Sequence, residues 1–216
     1  MKIKGLIFDF DGTLLETFPV CYVGFRTALK KFTGRDYSEE EIKMLFGPTE
    51  EGIFQRLLPE QWKECLALYL ETYDQAHRDY AEPFPGIEQA LDLLSARNVK
   101  LAIVSGKGPA SMRLSLKHSR LERYFPLIVT GSEEGPDKPR RIKKVLEAWG
   151  CQPDEVAYIG DIPHDIEDSR EAGTIPLGAV WAGSASKNEV LAMKPAETFT
   201  TVNDFIKWIE EHVELN

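Results

Sequence analysis

Gly5-Leu6-Ile7-Phe8-Asp9-Phe10-Asp11-Gly12-Thr13 is the stretch from which the rest of the chain can be read. Its first four residues are apolar apart from the glycine and continue a run that begins at Lys4, as in a strand buried on both faces. The run leads straight into two carboxylates two residues apart. In open α/β sheets ligands bind at the carboxyl ends of strands, so Asp9 and Asp11 stand where chemistry is done. Taken alone, Asp11-Gly12 also fits a two-residue hairpin turn. A calcium loop is excluded, because counted from Asp9 its glycine would fall at Leu14 and its closing glutamate at Val20.

Further strand signals follow at residues 100–104, 127–130, 156–159 and 175–181, each a short run rich in β-branched residues. Helical spacing lies between the later ones: residues 86–98 put Ile87, Ala90, Leu91 and Leu94 on one face, and residues 140–149 do the same with Ile142, Val145, Leu146 and Trp149. Strands alternating with helices predict parallel βαβ units and an α/β fold. Residues 16–82 break the alternation with helical stretches and no strand, which predicts an inserted helical domain between a first core segment, 1–15, and a second, 83–216. Its longest helix, 61–80, aligns Trp62, Leu66, Tyr69, Tyr73, Ala76 and Tyr80 as a packing stripe. Pro83-Phe84-Pro85-Gly86 marks the return to the core. Residues 202–213 read as a closing amphipathic helix with Phe205, Ile206 and Ile209 inward.

With 216 residues, 43% of them hydrophobic and 28% charged, the chain can bury a substantial core. The formal charge of −9 argues against broad binding to nucleic acid or anionic lipid, though not against one small anion held locally. The apolar stretch near the N-terminus is too short for a signal peptide, and no run approaches a membrane span, so a cytoplasmic protein with no membrane partner is expected. Cys21, Cys65 and Cys151 are far apart and read as buried free thiols, not a disulfide framework or zinc knuckle.

Three more places carry candidate chemistry. Residues 100–104 end in Ser105-Gly106-Lys107, where a hydroxyl and a flexible backbone offer donors to phosphate oxygens. A nucleotide P-loop fails here, since Leu101 stands where its first glycine belongs and Gly108 replaces the Ser or Thr after lysine. Asp137-Lys138-Pro139 precedes a helix, with Lys138 expected to be extended by the following proline. Residues 156–159 lead into Gly160-Asp161-Ile162-Pro163-His164-Asp165, a third strand ending in carboxylates, with Asp165 early in a helix. Each alone has an ordinary structural explanation as a turn, a cap or a solvated charge. Together, acidic, hydroxyl and acidic groups at the ends of three βα units converge on one mouth. His77, His118 and His212 form no metal-ligand spacing, and His164 is a candidate for the site entrance.

The order of these groups resembles the haloacid dehalogenase-like hydrolase superfamily, whose four motifs are matched by Asp9-Phe10-Asp11-Gly12-Thr13, Ser105, Lys138, and Gly160-Asp161 with Asp165. The resemblance implies a Rossmann-like parallel-sheet core with a small all-helical cap inserted at 16–82. It implies Asp9 as nucleophile and Asp11 as general acid and base, with Mg²⁺ held by Asp9, Asp161 and the Asp11 carbonyl. Ser105, Lys138, Gly106 and Thr13 would bind the phosphate, and Asp165 would orient Lys138 or a metal-bound water. Asp11 discriminates against a dehalogenase, which lacks that acid. Phe46-Gly47-Pro48-Thr49-Glu50-Glu51 is similar to the cap loop of phosphoglycolate phosphatases, which implies a small phosphorylated metabolite as partner and adds Thr49 to the substrate contacts. A pyrophosphatase, or a sugar-phosphate phosphatase or mutase, would use the same chemistry, with Arg26 and Arg56 available from the cap. A phosphate-metabolite binding protein without turnover is the reading of another class. Gly106 and Arg141 depart from the residues common at their positions.

Overall fold

The structure is a computed structural model that describes residues 3–79 and 82–214. In chain order it comprises β1 (Gly5–Phe8), α1 (Phe18–Thr33), α2 (Glu39–Lys43), α3 (Glu50–Leu57), α4 (Trp62–His77), α5 (Ile87–Ala96), β2 (Lys100–Val104), α6 (Pro109–Ser119), β3 (Leu127–Val129) and α7 (Lys138–Trp149). It continues through β4 (Val156–Gly160), α8 (Pro163–Ala172), β5 (Ile175–Ala179), α9 (Lys187–Ala192), β6 (Glu197–Phe199) and α10 (Val202–His212). The six strands form one sheet in the order β3-β2-β1-β4-β5-β6, and every pairing is parallel. No helix among the described residues is long and apolar enough to cross a membrane.

Successive side chains of a strand point to opposite faces, and β1 shows why its run has to be apolar throughout. Leu6 and Phe8 pack with Ile87, Leu91, Phe205 and Ile209 of α5 and α10, while Ile7 packs on the other face with Ile142, Val145 and Tyr158. All three are completely buried, each stabilising the fold by roughly 1.5–3 kcal/mol. From β3 the chain crosses back over β1 to form β4, so the connections diverge on either side of β1. That divergence opens a crevice at its carboxyl end. The register sets Phe8 level with both Ile103 and Ile159, so β1, β2 and β4 end almost together and present Asp9, Ser105 and Asp161 to one mouth.

Helices α1 to α4 form the insert, around their own core of Phe25, Phe54, Tyr69 and Tyr73. The expected stripe of α4 is present, with Tyr69 and Tyr73 wholly buried and Trp62, Leu66 and Ala76 partly so; Tyr80 lies outside the described residues. The insert sits against the rest of the chain. The Thr49 amide donates to the Ser132 carbonyl (3.0 Å), the Gln55 amide group to Glu133 Oε2 (2.8 Å) and Arg56 to the Glu134 carbonyl (2.7 Å).

Several expectations are corrected at element ends. The strands end at Val129 and Ala179 rather than Thr130 and Trp181, and Trp181 instead donates its indole N–H to the Thr13 carbonyl (3.1 Å). The edge strand β6 went unseen because three residues are too few to show alternation. Lys138 is the first residue of α7, not an extended residue before it, since proline is tolerated within the first turn of a helix. Cys21 and Cys65 are buried, but Cys151 is only half-buried.

Candidate active site

Asp9 follows β1 directly, and its carboxylate is pinned at both oxygens: the Phe10 amide donates to Oδ1 (2.7 Å) and Lys138 Nζ to Oδ2 (3.0 Å). Beyond it the chain turns sharply at Gly12, in the left-handed region at φ 75°, and leaves for the insert instead of doubling back as a hairpin. A side chain there would also meet Asp161, with a Cβ 2.3 Å from Oδ2. Asp11 accepts from the Thr17 hydroxyl and from Lys107 Nζ, which lies 3.1 Å from Oδ1. Burial pushes the Asp11 carboxyl above the ordinary carboxylate range, while Lys107 and Thr17 pull the other way.

Lys107 is itself buried. Its ammonium contacts Asp11, lies 3.8 Å from Cys21 Sγ and sits over the Tyr73 ring at 4.7 Å from the centroid. Burial disfavours its charge, but the facing Asp11 outweighs this and holds its pKa well above the usual lysine range. Lys138 behaves likewise, since burial is outweighed by Asp165, 2.5 Å from Nζ, and by Asp9. Asp165 is the third residue of α8. Its Oδ2 accepts from the amides of Asp161 (3.0 Å) and Ile162 (3.2 Å), while its Oδ1 accepts from Lys138.

Asp161 stands opposite Asp9. Burial, then the neighbouring Asp165 and Asp9, raise its carboxyl well above the ordinary range. Thr13 donates to its Oδ1 (3.2 Å), and its Oδ2 is buried with no hydrogen-bond partner. One carboxylate oxygen each from Asp9, Asp161 and Asp165 lie within 4.8 Å of one another. An orphaned carboxylate oxygen beside a second carboxylate, all hard oxygen donors, fits a divalent cation such as Mg²⁺. Asp165 accepts two hydrogen bonds at each oxygen, from Lys138 and Tyr158 at Oδ1 and from two amides at Oδ2, whereas Asp9 accepts one at each and Asp161 has Oδ2 unpartnered, so Asp9 and Asp161 are the better placed to hold the ion. The Asp11 carboxylate is engaged with Lys107 and Thr17, so any part of Asp11 in holding the ion falls to its carbonyl.

Ser105 and Gly106 line the cleft. The guanidinium of Arg141 donates to the Ser105 carbonyl (3.3 Å) and pairs with Asp137, so this departure from the common residue braces the loop after β2. Two expected substrate contacts are placed elsewhere. The Thr13 hydroxyl is behind Asp161, to which it donates. The Thr49 hydroxyl accepts from the Gly52 amide (3.4 Å) as the N-cap of α3, and Thr49 lines a separate surface hollow beside Ser132 and Glu133. Arg26 and Arg56 are spent on Tyr37 and Glu39, and on the carbonyls of Glu133 and Glu134. His164 is exposed on α8.

Glu50 and Lys107, like Arg141, are buried charges to which sequence reasoning gave no role. The Glu50 carboxylate reaches from the insert to the N-terminus of α6, accepting from the Gly108 amide (2.8 Å) and the Ser111 hydroxyl (2.5 Å). Anionic groups are favoured at such a terminus, so this contact clasps the insert to the core. The only hint was that both residues sit inside quoted motifs. The cleft has a volume of about 140 Å³.

Similar proteins are found by sequence and by structure. The family model described as haloacid dehalogenase-like hydrolase matches residues 6–179. A phosphoglycolate phosphatase from Aquifex aeolicus (strain VF5) is 27% identical, the match covering 98% of this chain and 99% of that protein. Pyrophosphatase PpaX from Bacillus mycoides (strain KBAB4) is also 27% identical, over 84% of this chain and 85% of its own. A crystal structure described as a predicted phosphoglycolate phosphatase from Haemophilus somnus 129PT superposes with a TM-score of 0.78 at 20% identity, covering 96% of this chain and 98% of that one. At that identity the likeness concerns the fold.

Proposed function

The chain belongs to the haloacid dehalogenase-like hydrolases, and on that premise we propose that it is a Mg²⁺-dependent phosphatase that cleaves small phosphomonoesters through an aspartyl-phosphate on Asp9. The observation that carries the reading is the division of labour between the two carboxylates. Asp9 is held by a main-chain amide and Lys138, while Asp11 is held separately by Lys107 and Thr17. Two acids kept in different surroundings can take different roles.

In the first half-reaction a carboxylate oxygen of Asp9 attacks phosphorus, the bond from phosphorus to the ester oxygen breaks, and the Asp11 carboxyl gives its proton to the departing alcohol. In the second, the Asp11 carboxylate takes a proton from water as the water oxygen attacks phosphorus, releasing phosphate and restoring Asp9. Lys138, locked by Asp165, offsets charge spread over the phosphoryl oxygens, with Ser105 and Gly106, which line the cleft, as donors. Mg²⁺, held by Asp9, Asp161 and the Asp11 carbonyl, would offset the repulsion between these carboxylates and a phosphate dianion.

The test is phosphate release from a panel of small phosphomonoesters and pyrophosphate, with and without Mg²⁺, for the wild type beside Asp9→Asn. Release that requires Mg²⁺ and disappears in the variant is expected. A folded wild type that releases phosphate from none of them, or an Asp9→Asn protein as active as wild type, overturns the reading.

A further inference from the structure

The part of a substrate that leaves must face the insert, because the phosphoryl end is taken by the groups at the strand ends. That wall is made of Phe18, Phe25, Phe46, Pro48 and Ile53, with Glu50 as its one charged residue. Phe18 and Phe46 stack (6.2 Å between centroids, 28° between planes), and Tyr22 extends the stack behind Phe46 at 5°. The Cys21 thiol beside them is neutral, since burial pushes its pKa up to about 12.

No cation on this wall awaits a second anionic group. Glu50 already accepts from Ser111 and Tyr69 at one oxygen and from Gly108 at the other. Lys107, the one cationic residue lining the cleft among the described residues, is paired with Asp11, and Lys138 is shared between Asp9 and Asp165. Arg26 and Arg56 bond outside the cleft. A carboxylate or second phosphate on the leaving group would therefore be set against aromatic rings and a buried carboxylate, with each of these cations already hydrogen-bonded to another residue.

Resting on the phosphatase reading, we propose that the leaving group is an uncharged alcohol with an apolar face, selected by Phe18 and Phe46. Phosphoglycolate and pyrophosphate, the compounds for which the two relatives are named, are then poor substrates for this chain.

The experiment compares kcat/KM for isobutyl phosphate and phosphoglycolate at saturating Mg²⁺. The two esters differ chiefly in replacing a carboxylate by an isopropyl group of similar size. Wild type is expected to favour isobutyl phosphate at least tenfold, and phenyl phosphate to be accepted. Phe46→Arg, which sets a cation on the wall, is expected to move the ratio at least tenfold towards phosphoglycolate. If wild type prefers phosphoglycolate or pyrophosphate while Asp9→Asn is inactive, the leaving-group assignment is overturned and the phosphatase reading stands. A folded Phe46→Arg protein with an unchanged ratio overturns the assignment as well. If wild type cleaves no ester on the panel, both fall together.

Discussion

Acid should loosen the closed arrangement of insert and core through His77, at the end of α4. The ring is wholly buried, its Nε2 lies 2.9 Å from Ser115 Oγ on α6, and Tyr73 of the insert meets the same hydroxyl at 2.7 Å. Burial, aided by Lys107 and by the stacked His118 and opposed by the ring's own backbone bond and by Asp74, lowers the His77 pKa from 6.5 to about 4. A base whose pKa is depressed in the folded state supports folding while it is neutral. This contribution is complete above the unfolded value of 6.5 and is lost as pH falls through 6.5 towards about 4. At about pH 4.5 the full shift would correspond to roughly 2.5 kcal/mol, which solvent near the helix end reduces to about 2 kcal/mol. His77→Gln keeps a donor near Ser115 and removes the titration. Urea unfolding from pH 7.5 to 4.5 should show the two proteins within about 1 kcal/mol of each other at the upper limit, and the variant about 2 kcal/mol ahead at the lower. Parallel stability curves across that range would refute the argument, because the buried neutral ring would then be contributing no pH dependence.

Three further outcomes are expected. Gly52→Ala would place a Cβ 2.3 Å from the Glu133 carbonyl, so the insert must shift off the core; a several-fold rise in KM and faster proteolysis at the two crossings, near residues 16 and 82, would register it. Lys138→Met leaves Asp9 and Asp165 buried without their shared cation, so unfolding free energy should fall by about 3–5 kcal/mol and turnover by roughly 10²–10³, read by denaturation and by phosphate release. Mg²⁺ at a hundredfold its dissociation constant should stabilise the wild type by about 2.7 kcal/mol in thermal unfolding. Asp161→Asn should lose most of that gain, and an equal gain in both proteins would place the ion elsewhere.

Asp9, Asp11, Ser105 and Asp161 could be picked out in the sequence because each follows a strand whose apolar run is complete within four or five residues. Where such a run stops, the sheet edge is reached, and a polar residue there faces the crevice. The helical insert was legible for a related reason, since helical spacing without strands persists over some 65 residues of the sequence. Thr13 and Thr49 were misplaced because a hydroxyl beside a motif is equally able to contact a ligand or to satisfy a neighbour. In the fold the first serves Asp161 and the second caps α3. The start of α7 was misread because proline after Lys138 signals an extended residue in isolation but is accommodated in a first helical turn.

Sequence by itself determined the parallel sheet, the interruption after β1 and the set of carboxylates at its mouth, because burial on two faces and strand-end position are properties of local runs. Only the tertiary structure decided which charge answers which. Lys138 lies 129 residues from Asp9, and Lys107 lies 96 from Asp11. Their pairing depends on the crossover that sets β1 between β2 and β4. The same holds for Glu50 of α3 against the N-terminus of α6 and for the aromatic wall facing the cleft, where packing of the insert against the core selects which of its side chains a substrate meets. Such contacts join residues distant along the chain, and no local pattern of hydrophobicity or spacing encodes them.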